Sequence, residues 1–195
     1  GRYQKSTGTT NFVAMSQPTP GHPNSGPLVG PIVISEIMYN PSNNQDAEYI
    51  ELTNISDEWM PLFNPTEYLP WRVQDNEDGS GISLFFPLNP GWDLQPGERV
   101  VIVKDKTAFY GSFTVPDTVR VLEWPSGKLS NSGEKIQLDE PGDVDLAGQR
   151  YWIRVDRVKY SDGSHPDSSG LDLWPAGPDG RGWSLERIEL DEYGN

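Results

Sequence analysis

IVISEIMYNPSNNQDAEYIELTNIS, residues 32–56, is the stretch that decides the fold. Two apolar runs, 32–39 and 47–55, flank a polar loop that opens on Asn40-Pro41. Short runs rich in Ile, Val, Tyr and Thr, separated by a turn signal, read as a pair of β-strands rather than a helix. Each run also carries a glutamate, Glu36 in the first and Glu48 in the second.

The same signal recurs along the chain. Strand-like runs follow at 69–74, 82–86, 98–104, 119–124, 134–139, 151–160 and 183–190. Turn dipeptides separate them, among them Asp78-Gly79, Pro96-Gly97, Ser132-Gly133, Pro141-Gly142 and Asp162-Gly163. About nine short strands so punctuated predict an all-β sandwich or barrel. The one helix-like piece, 106–110, is about a turn long. In 151–160 the apolar residues change phase, from Tyr151, Ile153 and Val155 to Val158 and Tyr160, which predicts a bulge near Asp156 and Arg157. The segment 161–181, rich in Gly, Pro and Asp, is a long loop of the kind that is often functional or mobile.

Composition narrows the class. The 195 residues suffice for one domain, or one domain plus an arm. Twenty Gly and 18 Pro suit a turn-rich β protein and not a helical bundle. The formal net charge of -14 repels phosphate backbones and anionic lipid, so nucleic acid is not an expected partner. No apolar run is long enough to span a bilayer, so direct membrane insertion is not expected. With no cysteine, disulfides and thiolate metal sites are excluded. The polar N-terminus has no signal-peptide pattern, which leaves export open if the chain is an excised fragment. Residues 1–30 read as an arm or linker: Pro18, Pro20, Pro23 and Pro27 forbid a regular helix, and the apolar patch 11–15 could pair with a sheet edge. The domain proper is expected over 31–195.

Candidates for chemistry are few. Glu36 shares a parity with Ile32, Ile34 and Met38, and Glu48 with Ile50 and Leu52, which would set both at the rim of an inward face. A half-buried carboxylate needs a donor, a cation or a proton. The options are backbone N–H groups or an arginine (Arg154, Arg157 or Arg187), a Ca²⁺ ion, or an acid/base pair. Asp75, Glu77 and Asp78, followed by Gly79, alternate oxygen ligands before a glycine and are the best Ca²⁺ candidates, although the full twelve-residue loop is missing. Asp143 and Asp145 make a weaker pair. Of seven tryptophans, Trp71 and Trp183 fall in strands and are expected in the core. Trp92, Trp124 and Trp174 fall near loops, where they would form a binding platform or roof the core. No nucleophile elbow, phosphate-binding Gly loop or His-Glu-x-x-His motif occurs, so no enzyme activity is expected. No cofactor is expected beyond a possible Ca²⁺.

The ordered motifs resemble the lamin-tail domain, an immunoglobulin-like β-sandwich, in its bacterial secreted or surface form. VISEIMY (33–39) and EYIELTNIS (48–56) are similar to its opening strand pair, and Trp71-Arg72-Val73 to its tryptophan strand. Leu94-Gln95-Pro96-Gly97-Glu98 resembles its Pro-Gly turn, and Leu129-Ser130-Asn131-Ser132-Gly133-Glu134 its most recognisable turn. Trp174-Pro175 and Ser184-Leu185-Glu186-Arg187 resemble its closing segment, so the likeness runs over roughly residues 31–190. Gly1-Arg2-Tyr3 and Pro18-Thr19-Pro20-Gly21 are similar to the tail that closes such a domain, as if from a preceding repeat. The resemblance implies a non-catalytic interaction or scaffolding module of a multidomain protein, extracellular or on a bacterial cell surface. Its partners would be a protein, a surface glycan or other domains of the same polypeptide. The alternative is a carbohydrate- or Ca²⁺-dependent ligand-binding module.

Overall fold

The computed structural model describes residues 1–4, 10–75, 81–88, 92–166 and 170–193. In chain order its strands are β1 (Arg2–Gln4), β2 (Thr10–Phe12), β3 (Ile32–Met38), β4 (Tyr49–Asn54), β5 (Met60–Pro61), β6 (Phe63–Asn64), β7 (Leu69–Pro70) and β8 (Arg72–Gln74). Then come β9 (Ser83–Phe85), β10 (Asp93–Leu94), β11 (Arg99–Val103), helix α1 (Lys106–Ser112), β12 (Arg120–Glu123), β13 (Gly133–Val144), β14 (Arg150–Ser161) and β15 (Leu185–Glu186).

Nine of these strands build two facing sheets, an immunoglobulin-like sandwich. One sheet runs β12-β11-β4-β3-β15 and the other β14-β13-β8-β9. The opening pair β3 and β4 is antiparallel, with Ile34 opposite Leu52 and Ile37 opposite Ile50, all four in the core. Facing them from the second sheet are Val73, Leu84, Ile136 and Leu138, also buried. Inward residues two apart on these strands, but three apart in β3 from Ile34 to Ile37, thus interlock into one apolar layer, the main source of stability in a sandwich. β12 pairs with β11 in parallel, the one parallel ladder among the described strands. α1 serves as the crossover a parallel pair requires. Asp105 caps its N-terminus by accepting the Ala108 N–H at 2.7 Å. Phe109 of α1 packs with Val101 and Val103 on the outer face of the first sheet, a second small core.

Besides an irregularity in the β13–β14 arm between Pro141 and Val144, two bulges shape the sheets. One lies in β14 at Val155, because Leu138 faces Asp156 while Asp139 faces Arg154. That is within a residue or two of the phase change in the sequence. The other lies in β3 at Ser35, between Ile34 and Glu36, where the apolar pattern of the run does not mark it. The run 183–190 forms only the two-residue strand β15, antiparallel to β3. The patch 11–15 pairs with its own chain and not with a sandwich edge: β2 lies against β1, and Met15 bridges Pro27. Among the described residues no helix is long and apolar enough to cross a membrane.

Candidate functional site

The bulge at Ser35 decides what Glu36 does. An extra residue flips every side chain after it to the other face. Ile37 therefore points into the core, and Glu36 stands on the outer face opposite Glu51. The expectation that Glu36 and Glu48 share an inward rim is overturned. Glu36 Oε1 accepts the Tyr49 hydroxyl at 2.6 Å and also the Ser184 hydroxyl. Glu48 does face inward and is 2 % exposed. Its Oε2 accepts the Leu129 N–H at 2.6 Å and its Oε1 the Lys104 ammonium at 3.0 Å. Burial pushes its carboxyl above the usual range, against the opposing pull of the Leu129 N–H and Lys104. Its partners are a backbone N–H and a lysine, not the arginines. The arginine at the end of the chain is engaged elsewhere. Arg187 Nη1 and Nη2 donate to Asp156 Oδ2 and Oδ1 at 3.1 and 3.3 Å. Asp156 Oδ2 also accepts the Ile34 N–H, beside the bulge, at 2.8 Å. This clamp ties β14 of one sheet to β3 and β15 of the other.

Of the Ca²⁺ candidates, Glu77 and Asp78 lie outside the described residues. Asp75 is buried at the end of β8 and does not sit on a solvated loop. Its Oδ2 accepts the Ile82 N–H at 2.9 Å, while its Oδ1, fully buried, has only the neighbouring Glu134 carboxyl to share a proton with. Gly81 is required beside it, since a Cβ there would come within 1.9 Å of Oδ2. Glu134 is its neighbour in space. Burial, and after it the charge of Asp75, push the Glu134 carboxyl up to about 7, although the Ser130 N–H and Tyr160 hydroxyl oppose the shift. Those two donate to Glu134 Oε1 at 2.8 and 2.9 Å. Among the described residues no group of three or more His, Asp or Glu could hold a metal ion. Asp145 caps its hairpin, its Oδ1 accepting the Ala147 and Gln149 N–H groups at 2.8 Å.

The tryptophans divide by tertiary position. Trp71 is in the core as expected. Trp124 is no surface aromatic: it is 2 % exposed, packed in the main core, with Nε1 donating to Gly127 O at 3.2 Å. Trp183, expected in the core, is 67 % exposed, because it precedes the short β15 and does not lie within it. Trp92 is half-buried against the core, with the Arg120 guanidinium 5.3 Å from its ring centre. Trp174 is half-buried on the long loop after β14. Asp172 fixes that loop by accepting the Ser161 hydroxyl at 2.6 Å and the His165 and Trp174 N–H groups at 2.9 and 3.0 Å. The hydroxyl of Ser161 is the main cause that holds the Asp172 carboxyl below the usual range.

Trp174 lines a cleft on the described surface. Its volume is about 440 Å³, and it lies at the seam of the sandwich where β14 and β15, each the edge of its own sheet, approach one another. Ile34, Ile37, Val158 and Leu185 form its apolar floor. Ile188, 93 % exposed, and the carboxylates of Glu36, Glu186, Glu189 and Glu192 border it. Sequence reading missed this cleft, since its walls are brought together from β3, β14, a loop and β15. The signal available was the pair of apolar-acidic steps Leu185-Glu186 and Ile188-Glu189 on either side of Arg187.

An apolar cleft on a rigid sandwich edge, framed by loops, is the layout of an interaction domain. The family comparison agrees. Residues 27–162, more than half of the chain, match the model of the Lamin Tail Domain, and the chain belongs to that family. The family is an immunoglobulin-like, non-enzymatic one that suggests protein interaction. The match stops short of β15, which nevertheless completes the first sheet by pairing with β3. A search among curated proteins finds no match.

Proposed function

We propose that the chain is a non-catalytic interaction module of a secreted or cell-surface multidomain bacterial protein, engaging other proteins or neighbouring domains through the seam cleft. The cleft itself carries this reading. Its floor is apolar, its walls are anchored by the Asp156–Arg187 clamp and the Asp172-ordered loop, and an isoleucine stands fully exposed at its border. A large apolar side chain in that position is costly in water and useful in an interface. Peptide display on the intact chain tests the reading, with Trp174→Ala and Ile188→Glu variants as counter-selection. Enrichment of sequences that lose binding to those variants is expected, and enrichment indifferent to them would refute it.

A second reading is a Ca²⁺-dependent ligand-binding module, favoured by the two buried carboxyls of Asp75 and Glu134 set side by side. Glycan arrays probed with and without Ca²⁺ separate the two, since Ca²⁺-dependent glycan binding belongs only to the second.

A further inference from the structure

We propose that the seam cleft takes an extended, cationic and apolar segment of a partner protein, laid along the free edge of β15. This rests on the reading of the cleft as an interaction surface and adds the chemistry of its occupant.

The bulge at Ser35 places Glu36 on the outer face, directly opposite Glu51 on one side and Glu186 on the other. Three glutamates thus stand in one row across β15, β3 and β4. Like charges directly opposite one another in a sheet are unfavourable. The protein only partly relieves them. Glu36 takes two hydroxyl donors, Glu51 Oε1 takes the Ser35 hydroxyl at 2.8 Å, and Arg99, itself half exposed, sits 3.6 Å from Glu51. Burial, eased by Ser35 and Arg99 but reinforced by Glu36 and Glu186, still leaves the Glu51 carboxyl raised. Glu189 and Glu192 extend the acidic border, and the cation within it, Arg187, is already committed to Asp156. A lysine or arginine from outside would relieve this row. A second copy of the chain would not, because its net charge of -14 opposes self-association.

β15 pairs on one side with β3 and is the edge of its sheet. Sheet edges accept an added strand through main-chain hydrogen bonds, and alternate side chains then fill pockets on one side. Here one set of alternate residues would reach the apolar floor of Ile37, Val158 and Leu185, and the other set the glutamate row. The occupant is therefore an extended segment that alternates apolar and basic residues.

The test uses a random ten-residue peptide display library on the whole chain. Two variants of equal net charge are compared: Glu186→Lys with Glu189→Lys at the cleft, and Asp117→Lys with Asp143→Lys on exposed sites elsewhere. The expected result is enrichment of basic, apolar-alternating peptides. In fluorescence anisotropy a selected peptide should bind about tenfold more weakly to the cleft variant. The control variant should bind it nearly as the parent chain does, and raised salt should weaken it. Circular dichroism melts verify that both variants fold. Enriched peptides that depend on Trp174 and Ile188 but show no basic bias would overturn the proposal while leaving the interaction module standing. Equal weakening by both variants would overturn it as well, by reducing the effect to overall charge. Enrichment that ignores Trp174 and Ile188 would remove the reading beneath it.

Discussion

Removing the guanidinium of Arg187 is the perturbation whose size the geometry fixes best. Asp156 is 8 % exposed, and its oxygens accept from three donors: two from Arg187 and the Ile34 N–H. Arg187→Ala leaves one donor for a buried carboxylate. Breaking a buried pair by removing one partner costs about 3–5 kcal/mol. Because the Ile34 N–H remains and the clamp lies at the sandwich edge, the low end, about 3 kcal/mol, is expected. For a chain of this length that lowers Tm by roughly 6–12 °C. Urea unfolding followed by tryptophan fluorescence measures the loss, and a double change of Asp156→Leu with Arg187→Met should recover a large part of it, since no charge is then stranded. A loss below about 0.5 kcal/mol for Arg187→Ala, the range of ordinary surface substitutions, would refute the claim that this pair fastens the two sheets.

Three further outcomes follow from other parts of the molecule. Glu134 is held at about 7 in the fold, above an unfolded value of about 4.3. A carboxyl raised on folding favours the folded state below the unfolded value, and that advantage is lost as pH climbs through 7. Glu134→Gln, which keeps an acceptor for Ser130 and Tyr160, should then stabilise by about 1–2 kcal/mol at pH 8, discounted for half-burial, and by little at pH 4, as read from melts at the two pH values. Gly133→Ala should cost more than about 2 kcal/mol in urea titration, because φ is 106° there and a Cβ would meet Tyr160 O at 2.5 Å. On the Ca²⁺ reading, a few millimolar Ca²⁺ raises Tm by about 2–4 °C and Asp75→Asn abolishes the rise; an unchanged melt counts against that reading.

Much of the sandwich was legible because burial of one sheet face writes a period of two into each strand. Ile50 and Leu52 alternate with Tyr49 and Glu51, and the structure faces them as the pattern requires. The phase change in β14 was legible for the same reason, as apolar residues swap parity across it. β3 hid its bulge because apolar residues lie on both sides of it: Ile34 and Ile37 face the core, while Val33 and Met38 are buried on the outer side. That one unread residue carried Glu36 to the wrong face, and with it the expected carboxylate pair. Trp124 and Trp183 exchanged expected places because burial of a tryptophan depends on what folds over it. The cleft was the least legible, since its floor is assembled from segments far apart in the chain. Arg187 was expected to pair a rim glutamate, and Asp156 stood out only when the sheet edges brought the two together.

If the chain works through the seam between β14 and β15, methyl NMR on isoleucine-labelled chain, titrated with a display-selected peptide, reads the contact at its own residues. Shifts are expected at Ile37 and Ile188, which line the cleft, and none at Ile153 on the β14 arm. Shifts concentrated at Ile153, with Ile37 and Ile188 unmoved, would place the working surface elsewhere and overturn the seam.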